Sequence, residues 1–440
     1  MAAPSPASTI WTTARRRSRT PARAGCHVVG FGFGFDPAGN LTALTPAGNT
    51  TPEIGLGYDT LGRLTGFKDG RSGTLIDGYS VDATGNRLSA KVGTATQIYS
   101  YPADSHRLSA VAGVARTYDA TGNTTAIGGT ARQYTYDTTG RMTQARRAGA
   151  VTMNYRYNGK GEQIRRFLGT TNTYTLFDEA GHWLGDYDSN GAPKQQAIWL
   201  DDLPVGLLAN ANKLHYIEPD HLGSPRVVID PTRDVAVWTW SLKGEAFGNT
   251  APNQDPDGDG AALVLDMRFP GQRFDATSGL NQNGNREYEA STGRYSKSDP
   301  IGLRGGIGTY RYAFNNPLMW IDPDGLQATM ISQGPGMTGP VGVYNPYGPN
   351  NPNDASTQLP QGGSINLPQI PEITGDSLLE SLYKMSPLSA INQLEQAISN
   401  SINNCDDDRC DREWREARRV CRQLIFEQLQ QAAGRRKKEA

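Results

Sequence analysis

Two short phrases in this chain carry residue types that can do acid–base chemistry. Residues 299–303 read Asp-Pro-Ile-Gly-Leu, and residues 322–326 read Asp-Pro-Asp-Gly-Leu. As local structure, each phrase is good turn chemistry. The Asp accepts nearby backbone N–H groups, Pro fixes φ and Gly permits the reversal. As catalysis, the phrases offer two carboxylates, Asp299 and Asp322. Two such groups in one partly desolvated site cannot both ionise, so they would share a proton. One would then activate a water while the other protonates a leaving amide nitrogen. The residues alone leave both readings open: two similar turns, or one acid dyad.

Other constellations are weaker. Asp255, Asp257, Asp259, Gly260 and Asp266 stand at the first, third, fifth, sixth and twelfth positions of a calcium loop. The last position has Asp where bidentate Glu is usual and no flanking helices are evident, so an acidic surface turn is the expectation and no metal is assigned. Asp220 and His221 are expected to make structural hydrogen bonds within a turn. Cys405, Cys410 and Cys421 have no neighbouring His, and zinc normally takes four ligands. Phosphate-loop, zinc-protease and serine-elbow patterns are missing from the sequence, and it implies no cofactor.

The elements that must position these groups are written as repeats. One phrase recurs as FDPAGNLTAL (35–44), YDTLGRLTGF (58–67), VDATGNRLSA (81–90), YDATGNTTAI (118–127) and YDTTGRMTQA (136–145). Looser copies begin at residues 157, 177 and 187. In each, an aromatic or β-branched residue ends a strand, Asp opens a turn, Gly takes positive φ, and the strand returns through Arg or Asn. Each copy is thus a β-hairpin, and because a lone hairpin is marginal the copies must stack into a longer sheet.

These repeats resemble the tyrosine-aspartate (YD) repeats of Rhs proteins. YIEPDHLGSPRVVID (216–230), RFPGQRFDATSGLNQNGNREYEASTGRYSKSDPIGL (268–303) and the stretch ending at Leu326 resemble the Rhs repeat-associated core. The resemblance implies a mainly β fold of stacked antiparallel hairpins forming a partial shell. It also implies an aspartyl-type autoprotease acting once, with Asp299 and Asp322 cutting between Leu326 and Gln327. Arg294 is then either a supporting charge or an ordinary strand residue. Two positions depart from the family. Asn281 and Gln282 replace an aromatic pair, and residues 287–290 read Glu-Tyr-Glu-Ala where Tyr-Tyr-Asp-Pro is usual. Shells of this family are also built by longer chains, so this one is expected to begin partway round, and a closed cage from one copy is not expected.

The expected organisation is a disordered basic N-terminus (1–30), a YD-repeat sheet (31–215), the repeat-associated core (216–326), a Pro/Gly/Asn-rich linker (327–375) and a small helical C-terminal segment (376–440). The N-terminus lacks the apolar stretch of a Sec signal. A formal net charge of -1 gives no reason to expect nucleic acid as a partner. No apolar run approaches the ~20 residues of a membrane helix. The family's shells enclose a toxin used against competitors, exported from the cytoplasm by specialised secretion components and countered by an immunity protein. No catalytic set is evident in 327–440. The rival expectations are a cell-surface protein whose hairpins bind glycans or proteins, and a truncated remnant.

Overall fold

The computed structural model describes residues 10–12, 31–46, 49–241, 243 and 246–330. The fold is mainly β. A 22-stranded sheet runs from Ile10–Thr12 to Val235–Thr239. It is a meander in which each strand pairs antiparallel with the next. Among the described residues there is no α-helix, only two short 3₁₀ turns, Gly302–Gly305 and Ala313–Asn315.

The hairpins follow from local chemistry. At Asp59, Oδ1 accepts the N–H groups of Leu61 (2.9 Å) and Arg63 (3.0 Å), while Gly62 sits at φ 73°. The same pair of bonds recurs at Asp82, Asp137 and Asp188. The strand register slips at the aromatic just before the Asp, as at Tyr58, Tyr118 and Tyr136. That slip is a bulge, which adds local twist. The apolar residue after the turn is buried, as for Leu41, Leu64 and Met142. Such burial contributes about 1.5–3 kcal/mol per side chain. Copies are also tied to one another. Tyr58 donates its hydroxyl to the Leu41 carbonyl (2.8 Å), and Tyr157 donates to that of Met142 (2.9 Å). Arg63 reaches forward to the Asp82 carbonyl (2.6 Å).

The sheet does not stop at residue 215. The expected boundary falls inside the strand Lys213–Pro219, and the meander continues to Thr239 because those residues keep the same turn chemistry around Asp220. The segment that follows packs against the row of turns. It includes a four-stranded sheet of Gln272–Asp275, Leu280–Asn283, Arg286–Glu289 and Arg294–Tyr295. Its side chains bond the turn-glycine carbonyls of four successive repeats. Asn316 donates to Gly62 (2.9 Å), Asn315 to Gly85 (2.8 Å), Tyr310 to Gly122 (2.8 Å) and Lys297 to Gly140 (2.6 Å). A buried carbonyl left unpaired costs about 1–3 kcal/mol, so this series fixes the segment along the repeats.

Two of the departures from the family pattern, Asn281 and Glu289, are buried and paired. Asn281 donates to the Gln272 side chain (2.8 Å), and Glu289 pairs with Arg116 at 2.5 and 2.8 Å. Within the segment expected to be disordered, Ile10–Thr12 pairs with Phe31–Phe33. The expected linker also begins inside the fold, since Thr329–Met330 pairs with Trp320–Ile321. The helical expectation for 376–440 and its cysteines lies outside the described residues.

Candidate functional site

The two Asp-Pro phrases take different environments. In the first, Asp299 Oδ1 accepts the Ile301 N–H (3.0 Å), and the Gly302 N–H bonds the Asp299 carbonyl (3.0 Å). That is an ordinary turn. The second phrase is gripped along its backbone by one tight hairpin, residues 283–286. Asn283 donates its side-chain amide to the carbonyls of Asp322 (2.9 Å) and Pro323 (3.0 Å). The Asn285 backbone and side chain donate to that of Asp324 (2.9 and 3.1 Å), and Arg286 Nε donates to Gly325. The approach is so close that a side chain at Gly271 or Gly284 would collide with the Pro323 or Asp324 carbonyl.

Asp299 and Asp322 meet through Arg286 rather than directly. Its Nη1 lies 3.0 Å from Asp299 Oδ2 and its Nη2 lies 3.0 Å from Asp322 Oδ2. The guanidinium also stacks over the Tyr295 ring at 3.6 Å. Asp322 is 1% exposed; Oδ2 accepts the Tyr295 hydroxyl (2.7 Å) and Oδ1 accepts the Leu326 N–H (2.9 Å). Burial pushes the Asp299 carboxyl up to about 6, against the pull of Arg286 and with the help of like charges on Asp322 and Asp324. Burial and the Asp322 charge hold the Tyr295 phenol well above its ordinary range, so it stays a donor.

The bond after Leu326 lies at this cluster. A Cβ placed on Gly305 would stand 2.2 Å from Asp299 Oδ2 and 3.0 Å from the Leu326 carbonyl oxygen. Both oxygens therefore crowd against Gly305, whose missing side chain allows the approach. A cavity of about 10 Å³ adjoins it, lined by Arg286, Gly305, Asp322 and Leu326 among others. That is room for about one water. The chain downstream of Gln327 is held by the strand pairing of Thr329–Met330.

Other residues singled out in the sequence go elsewhere. Arg294 does not touch the pair; it donates to the Tyr101 hydroxyl (2.6 Å) and the His106 carbonyl. The carboxylates of Asp255, Asp257 and Asp259 gather within 4.8 Å, but Arg233 Nη1 lies 2.7 Å from both Asp257 and Asp259. Asp266, the loop's twelfth position, instead faces Arg166 at 3.8 Å. The spacing therefore builds an arginine-filled acidic turn. Asp220 accepts Leu222, Ser224 and Arg226, and His221 Nε2 lies 2.9 Å from the Leu318 carbonyl, as structural roles require. Sequence reasoning missed Arg286, Tyr295, Asn283, Asn285 and Gly305. The Gly284-Asn285 pair, a two-residue hairpin signal, was the available clue to the gripping turn.

Residues 27–318 match the family model described as Teneurin YD-shell. Double-stranded DNA deaminase toxin A of Burkholderia cenocepacia is 37% identical over 117 residues, which are 26% of this chain and 8% of that protein. Toxin protein Tse5 of Pseudomonas aeruginosa is 34% identical over 119 residues, 27% of this chain and 8% of that one. Among solved structures, TcdB2-TccC3 without its hypervariable C-terminal region superposes with a TM-score of 0.54 at 20% identity, covering 68% of this chain and 17% of that chain; the likeness is one of fold. The chain spans less than half the length of the curated relatives it matches at comparable identity.

Proposed function

The chain belongs to the Teneurin YD-shell family, as an Rhs-type YD-repeat protein, and on that premise we propose that it cuts itself between Leu326 and Gln327. The cut frees the segment that follows from a toxin shell used in competition between bacteria. The observation that carries this reading is the approach of both Asp299 Oδ2 and the Leu326 carbonyl oxygen to one glycine, Gly305.

The chemistry is hydrolysis of one peptide bond. Asp299, with a value of about 6, is mostly ionised at neutral pH. It takes a proton from a water, and that water attacks the Leu326 carbonyl carbon. Arg286 balances the crowded carboxylates. Asp322 holds the Leu326 N–H, so the bond is presented in one orientation. The hairpin 283–286 upstream and the strand pairing of Thr329–Met330 downstream clamp the bond from both sides, which supplies proximity without a separate substrate site. A second carboxyl must protonate the leaving nitrogen.

The toxin relatives support a wider reading. The shell leaves the cytoplasm through secretion-system components, and an immunity protein protects the producing cell. No described helix is long and apolar enough to cross a membrane.

Intact mass spectrometry of wild type, Asp299→Asn and Asp322→Asn is the test. Wild type should separate into two pieces at Leu326 at a rate independent of protein concentration, and both variants should stay whole. A folded wild type that remains intact would return both phrases to turns.

A further inference from the structure

We propose that Asp324, the middle residue of the second phrase, is the acid that protonates the Gln327 nitrogen as the bond breaks. This rests on the self-cleavage reading and adds a third carboxyl to it.

Geometry carries the assignment. The Asp324 carboxylate accepts the backbone N–H of Leu326 at 3.1 Å and that of Gln327, so it stands against the nitrogen that must leave. Asp299 lies on the carbonyl side, crowded with the Leu326 oxygen against Gly305. Asp322 is committed to Arg286, Tyr295 and the Leu326 N–H. Asp324 is also fixed in place, since two donors from Asn285 hold its own carbonyl.

The proton is at hand. The like charge of the neighbouring Asp322 favours the protonated form of Asp324. The charged groups facing Asp324 are the carboxyls of Asp322 and Asp299, with Arg286 bonded to both of those; the gripping hairpin otherwise contributes the neutral Asn283 and Asn285. Partial desolvation and the like charge of Asp322 hold the Asp324 carboxyl above its ordinary value, although the residue is otherwise exposed. The balance closes without a co-reactant. Asp299 carboxylate takes one proton from water, the water oxygen bonds to the Leu326 carbon, and the C–N bond breaks. Asp324 gives its proton to the Gln327 nitrogen, leaving a Leu326 carboxyl, an amine and an ionised Asp324.

The test follows cleavage after precursor, isolated under denaturing conditions, is refolded by dilution across a range of pH. Wild type, Asp324→Asn, Asp324→Ala and Asp299→Asn are compared, with a thermal melt of each to establish folding. Asn keeps an oxygen that can accept both N–H groups but has no proton to give. Asp324→Asn should therefore slow cleavage by about 10²- to 10⁴-fold. Its residual rate should lose the decline with rising pH that ionisation of Asp324 is expected to impose on wild type. Wild-type rates in Asp324→Asn, with only Asp324→Ala slow, would make Asp324 a mere N–H acceptor and overturn the proposal. An unchanged pH profile would do the same. A folded wild type that never cleaves would remove the self-cleavage reading and this one together, whereas loss of Asp299→Asn activity beside a normal Asp324→Asn removes this one alone.

Discussion

Gly305→Ala separates the geometry of the site from its acid–base chemistry. The new Cβ would stand 2.2 Å from Asp299 Oδ2 and 3.0 Å from the Leu326 oxygen. Contact at about 3.4 Å needs the carboxylate and carbonyl to part by roughly 1 Å, and a displacement of that size can cost about 10²-fold in rate. The backbone of Gly305 accepts alanine, since it is not among the positive-φ residues, but the crowded Cβ should cost about 1–3 kcal/mol of stability. Gly302, three residues earlier, has the opposite character. Its φ is 63°, yet no atom lies within 4 Å of the added Cβ. Gly302→Ala should therefore lose about 1–2 kcal/mol of stability from backbone strain and keep its cleavage. Refolding of denatured precursor, followed by gel densitometry beside a urea melt, measures both. Normal cleavage in folded Gly305→Ala, or equal slowing in the two variants, would refute the argument that the reacting groups meet at Gly305.

Two further outcomes follow from the site's charges. Below about pH 6 the ionised fraction of Asp299 falls roughly tenfold per unit, and cleavage should fall with it; a flat rate between pH 5 and 7 in refolding time courses would count against Asp299 as the base. The raised value also means that the folded state binds this proton more tightly than the unfolded chain. Its contribution to stability therefore declines as pH rises from about 4 to about 6, and melts of Asp299→Asn should lack that decline. Arg294→Gln should lower the melting temperature through its lost bonds to Tyr101 and His106 while cleavage survives, whereas Arg286→Gln should abolish cleavage. Equal effects of the two substitutions on cleavage would contradict the placement of Arg286.

The repeats were legible as text because their chemistry is local. Asp59 and Gly62 make their turn within five residues, so the hairpins and the mainly β fold could be read from FDPAGN, YDTLGR and their copies. The pairing of Asp299 with Asp322 could be suspected from the repeated phrase, but no local rule separates a turn from a dyad. The choice of cation shows why. Arg294 is near Asp299 in sequence, yet it extends to Tyr101 and His106, while Arg286 projects between the two carboxylates. The calcium-like spacing failed in the same way, since Arg233 comes from the preceding hairpin and Asp266 faces Arg166. Asp324 passed unnoticed as the variable letter of its phrase. Hydrogen bonds closed within a turn depend on a few neighbouring dihedrals, whereas the partner of a buried charge depends on how distant strands pack. Only the tertiary structure, with Asn315, Asn316, Tyr310 and Lys297 docked along the row of repeat turns, decides which carboxyls, which arginine and which peptide bond meet.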